Sequence, residues 1–226
     1  MRVAPIPNCA FCARHPAHSA RAGLADKDGS GVVTVDLKDV YSRQPKRGLY
    51  APYGGVRHSW AFEDSGISGL RSIGVDYSGK CGAPGLFVVV DKIRGGHEKV
   101  WLWQTPEAES SERKPQMVDV AIKENTFTIR QGDATLHATF IAPAAVKLTA
   151  GTRTMQIRKS AGHDAGKTAD VRFSAVFAEG GDDFFVVATL QRGDPPPVKV
   201  EGRGLDAKAR VGGRVVTFDG QKVAFE

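Results

Sequence analysis

The stretch Gly85–Pro106, GLFVVVDKIRGGHEKVWLWQTP, limits what this chain can fold into more than any other. Leu86–Val90 is a short apolar run of mostly β-branched and aromatic residues, the composition of a buried strand. Arg94-Gly95-Gly96-His97 reads as a turn, because paired glycines reach the positive φ that tight hairpins require. Lys99–Gln104 reads as a second strand. Alternation puts Lys99, Trp101 and Trp103 on one face and Val100, Leu102 and Gln104 on the other. Strand, turn and strand predict a hairpin, and one this apolar needs more sheet around it.

The remaining pattern is β throughout. VVTVDLKDV alternates, with Val33, Val35 and Leu37 facing one way; LYAPYGG is a turn region, and VRHSWAF and LRSIGVD after it are strand-like. VDVAIK, NTFTIRQ and ATLHATFI follow a polar loop at 107–115. Gly132-Asp133 between the last two is a two-residue hairpin turn with glycine first. VKLTA, the segment around Met155–Arg158, VRFSAVFA and FFVVATLQ continue the series. Pro195–Pro197 cannot donate to a ladder and marks a crossover or an edge. Asp219-Gly220 joins RVVTF to QKVAF as a hairpin. With 26 glycines, 12 prolines and no helical period, the chain of 226 residues predicts an all-β fold. The expected architecture is an antiparallel two-sheet β-sandwich of roughly fourteen strands.

Residues 1–31 are rich in Ala, Pro, Arg and His without periodicity and read as a loosely ordered extension; the sandwich domain is expected over 32–226. In the extension, Cys9, Cys12, His15 and His18 form a possible zinc set. Structural sites, however, separate their two ligand pairs by a dozen or so residues, and here the spacer is two. Asp26-Lys27-Asp28-Gly29-Ser30-Gly31 imitates the start of a calcium loop, but Leu37 stands where the bidentate glutamate belongs. A polar turn opening the next strand is the plainer reading. No cofactor is expected, with zinc or calcium at these two places as the alternatives.

The net charge of +6 and pI near 9.3 suit either an anionic partner or an ordinary solvated surface. Three cysteines exclude a complete disulfide framework. No run approaches the about 18 apolar residues of a membrane span, and the first residues lack the apolar core of a secretory signal. No aromatic–basic motif of the RNA-recognition type appears, so nucleic acid is not an expected partner.

Four residues on one turn-rich stretch, Tyr50, Tyr53, Arg57 and His58, have side chains suited to elimination from a uronate. That reaction needs a base beside the carboxylate and a cation to neutralise it. Trp101 and Trp103 fill a core if buried and form a stacking platform for sugar rings if exposed. His137 shares a strand face with Thr135 and Thr139, either a glycan-binding face or the solvent side of a sandwich.

LFVVVDKI, a short turn and KVWLWQTP resemble the C-terminal β-sandwich of heparinase II/III-like polysaccharide lyases. VVTVDLKDVY upstream, and NTFTIRQGDATLHATFIAP and GLDAKARVGGRVVTFDG downstream, resemble further segments of that domain in the same order, over about residues 32–226. The resemblance implies a periplasmic or extracellular setting, a catalytic toroid domain or chain as partner, and acidic polysaccharide nearby. The helical toroid and the H-x-H-x-D-like segment of those enzymes have no counterpart here, and Gln104 stands where histidine is frequent. No catalytic residue carries over. The expectation is an accessory sandwich that is non-catalytic alone, supporting a lyase or binding anionic polysaccharide. The alternatives are a small stand-alone lyase acting by β-elimination and a structural or interaction protein without a carbohydrate role.

Overall fold

The computed structural model describes residues 20–22, 26–37, 66–96, 99–107, 118–158 and 168–226. Among them are fifteen strands, numbered in chain order, every pairing antiparallel. The central sheet has eight, ordered β1 (Ala20–Ala22), β2 (Gly31–Asp36), β3 (Ser68–Asp76), β4 (Gly85–Arg94), β11 (Asp183–Gln191), β8 (Ala134–Ala142), β7 (Thr126–Gln131) and β6 (Asp119–Lys123). A second sheet holds β5 (Trp101–Glu107), β10 (Thr168–Glu179) and β9 (Lys147–Arg158). A third holds β12 (Val198–Glu201), β13 (Lys208–Val211), β14 (Arg214–Phe218) and β15 (Val223–Phe225). The all-β antiparallel sandwich is borne out, with a third sheet beyond the two expected.

The central sheet is buried on both faces. Leu86, Val88 and Val90 of β4 pack with Phe185, Val187, Ala209, Val211, Val216 and Val223, beneath the β12–β15 sheet. Phe87 and Val89, pointing the other way, join Phe140, Phe184, Val186, Val176 and Trp101, beneath the β5–β10–β9 sheet. This explains the unbroken apolar runs of β4 and β11. A strand covered on one face alternates, whereas one covered on both does not.

The expected hairpin does not form. β4 pairs with β3 and β11, while β5 pairs with β10 in another layer, so Gly85–Pro106 spans a change of sheet. The glycines serve a close approach instead. Gly95 has φ +79, and a Cβ there would collide with the carbonyl oxygen of Gly66. Arg94 donates to Asp183 at 2.6 Å and Lys99 to Asp182 at 2.5 Å, tying the crossover to the start of β11. Gly95→Ala should therefore cost about 2–3 kcal/mol of stability, from left-handed strain plus the backbone shift. Thermal unfolding checks this, and an unchanged midpoint would return the position to an ordinary turn.

Other local expectations hold. Gln131 pairs with Ala134, so Gly132-Asp133 is the two-residue turn, and only its glycine has positive φ (+61). β14 and β15 form the second hairpin, with a four-residue loop in which Asp219 Oδ1 accepts from the Gln221 and Lys222 N–H groups. Pro195–Pro197 lies on the crossover from the central sheet to β12. In β2, Val32 packs inward while Val33 is exposed.

Three contacts fasten the β12–β15 sheet to β3. Val223 N–H donates to Ser72 Oγ at 2.9 Å, and Arg214 donates to Asp76 at 2.6 Å. The Phe225 ring lies on the bare backbone of Gly74, where a Cβ would meet it at 2.8 Å.

Candidate functional site: a polar groove and an apolar terrace

The inner strands of the central sheet are covered, but the ends of its faces are not. At the β6–β7–β8 end the register aligns two rows of side chains across the strands. One row runs Gln191, Thr135, Arg130, Asp119, and the next runs Thr189, His137, Thr128, Ala121. Side chains alternate across a strand, so both rows stand on the face opposite Phe127, Ala138 and Phe140. Asp119, Arg130 and Thr135 of the first row and Ala121, Thr128 and His137 of the second floor a groove of about 360 Å³, walled by Gly193, Asp194 and Pro195 on the crossover toward β12; Thr189 and Gln191 are buried and lie outside its lining.

The groove is chemically mixed. Asp119 and Arg130 are opposite one another and both exposed, a pairing of opposite charges suited to adjacent strands. Desolvation by burial holds the His137 imidazole below the ordinary histidine value, so it is neutral near pH 7. Gln191 is 5% exposed, and neither its Oε1 nor its Nε2 meets a hydrogen-bond partner among the described residues.

On the other face, at the β2–β3–β4 end, the three-stranded sheet does not reach far enough to cover an apolar terrace. The cross-strand row Val186, Val89, Ile73, Val33 climbs from core to solvent: Val186 is buried, whereas Ile73 and Val33 are 37% and 39% exposed. Tyr77, also exposed, stands edge-on to Phe87 at 6.0 Å. Beside it, Arg71 grips the buried Asp91 with two hydrogen bonds of 2.6 and 2.7 Å. Arg71, Asp91, Lys99, Trp101 and Phe184 line a smaller cavity of about 220 Å³.

Trp101 is 4% exposed and packs edge-on against Phe140 at 5.2 Å; Trp103 is half-buried, 5.9 Å from both Trp101 and Phe127. These two rings fill the space between the central and three-stranded sheets and leave Trp101 no free face for a sugar. His137 does share its face with Thr135 and Thr139, but Thr139 is buried, so the open part of the row begins at His137. Tyr50, Tyr53, Arg57 and His58 lie outside the described residues, as do Cys9, Cys12, His15 and His18. The calcium-loop imitation is a closed turn: Ser30 N–H donates to Asp28 Oδ1 at 2.9 Å, and Tyr77 N–H donates to Ser30 Oγ at 2.8 Å. Among the described residues no group of His, Cys, Asp or Glu is arranged to hold a metal ion. No described helix is long and apolar enough to cross a membrane.

Thr128, Arg130, Asp119 and Gln191 were not singled out from the sequence. TFTIRQ does show its polar set at alternate positions, a signal for Thr128 and Arg130. Nothing local marks Gln191, a polar residue at the end of an otherwise apolar strand.

No protein-family model matches the chain, and no curated protein matches it. Among solved structures it is similar to heparan sulfate lyase HepC from Pedobacter heparinus, at 11% identity and a TM-score of 0.43 over 92% of this chain and 28% of that one. A heparinase III with methylated lysines gives 12% identity and 0.47 over 92% and 27%. Another heparinase III gives 12% and 0.44 over 92% and 27%. The chain thus spans little more than a quarter of the length of these structures.

Proposed function

We propose that this chain is an accessory β-sandwich of the polysaccharide-lyase kind, non-catalytic alone, which acts by docking its apolar terrace onto a catalytic domain. The terrace carries this reading. A sheet that buries its middle on both faces but leaves Val33, Ile73 and Tyr77 open has apolar area available to a partner. Burying apolar surface is worth about 25 cal/mol per Å², so even a few such side chains contribute to an interface. The paired Arg71 and Asp91 beside them give the patch a polar rim. The ordered resemblance of LFVVVDKI, KVWLWQTP and the flanking segments supports the lyase association, as does a net charge of +6 for working near an acidic polymer.

The test is association. The purified chain mixed with the isolated helical domain of a heparinase III-type lyase should co-elute on size exclusion, and Ile73→Glu should abolish the complex. Ile73→Glu should leave the thermal midpoint within a few degrees of the parent, as expected for an exposed site. A complex that survives Val33→Glu and Ile73→Glu together, or no complex with the parent chain, would remove the terrace from the account.

A further inference from the structure

We propose that the groove floored by β6, β7 and β8 and walled by residues 193–195 binds an uncharged polyhydroxyl compound, a saccharide or polyol, independently of any partner on the terrace. The two surfaces lie on opposite faces of the central sheet, so one can be occupied without the other.

Two observations point to hydroxyl groups as the ligand chemistry. The floor offers short neutral groups that both donate and accept, Thr128 and Thr135, beside an imidazole that is neutral near pH 7. Charge excludes the obvious competitor. Asp119 and Asp194 bring two carboxylates against the single guanidinium of Arg130, so a sulfated or uronate sugar would enter a groove of the wrong sign. A neutral sugar suits the same set, because carboxylates accept from hydroxyls and a guanidinium donates to them.

The volume of about 360 Å³ lies within the range of roughly 300–1,000 Å³ typical of small-molecule sites.

The experiment is a titration of the isotope-labelled chain followed by NMR, with cellobiose, xylobiose and mannobiose as neutral probes and a sulfated disaccharide as the anionic one. At least one neutral disaccharide should shift the Thr128, Thr135 and Arg130 backbone signals in a saturable way. The sulfated probe should bind at least tenfold more weakly. Thr128→Val should weaken binding about tenfold without altering the fold. Tighter binding of the sulfated probe, shifts that map outside the groove, or no saturable shift with any neutral disaccharide would overturn the proposal.

Discussion

Asp76→Ala should be among the most damaging single substitutions in the described part of the chain, lowering stability by about 3–5 kcal/mol. Asp76 is 1% exposed at the end of β3, and Arg214 reaches it from the β12–β15 sheet at 2.6 Å. Removing the carboxylate strands a mostly buried guanidinium between two layers. Arg214 is not wholly dependent on Asp76, since it also lies over the Phe225 ring at 5.6 Å. The loss should nonetheless lower the thermal midpoint by roughly 10 °C. Adding Arg214→Met should restore part of it, because an apolar pair of similar volume does not carry the desolvation penalty of a lone buried charge. No recovery in the double variant would show that the pair is not what fastens the layers.

The same carboxylate gives the fold an acid limit. Burial pushes the Asp76 pKa up, but hydrogen bonds from the Ser78 side chain and backbone and the Arg214 guanidinium outweigh it, leaving the group below the ordinary aspartate value. A depressed carboxylate pKa means that the unfolded chain binds the proton more readily. The stabilisation is therefore complete above the unfolded value of about 3.9. It falls as pH drops below that point and is gone once pH has passed the lower folded value. Acid unfolding of Asp76→Asn should lack this part of the pH dependence.

Phe140→Ala should cost about 3–5 kcal/mol as well, by a different route. Phe140 is 1% exposed in β8, with Trp101, Phe127 and Phe184 rings 5.2–6.5 Å away. Those rings come from three other strands in two sheets, so no single side-chain movement fills the cavity. Urea unfolding should show a lower midpoint with an unchanged slope. A loss below about 1 kcal/mol would mean that the two layers close over the gap.

How much of this was legible depends on the range of each interaction. Strands were readable one by one, since β7, β13 and β14 bury alternate residues as a one-sided strand must. Hairpins with Gly132-Asp133 and Asp219-Gly220 were readable because the turn chemistry is local. The Gly95-Gly96 pair misled for the same reason. Two glycines signal positive φ, but not whether the chain returns to the same sheet or passes close to Gly66 and changes layer. The third layer had a signal in the unbroken apolar runs of β4 and β11, which only a sheet covered on both faces explains. Asp76 and Arg214 are 138 positions apart, and no local pattern pairs them. The groove was half visible. His137 stood out with Thr135 on a polar face, whereas its partners on β6 and β7 come together only through strand register.

As proposed, this sandwich assists a lyase and is not itself one. The direct measurement is the ultraviolet absorbance of unsaturated uronate when the purified chain is incubated with heparan sulfate, alginate or ulvan. A flat trace with all three is the expected result. A steady rise that Tyr53→Phe abolishes would contradict it, making the chain an enzyme and the Tyr50–His58 stretch its active site.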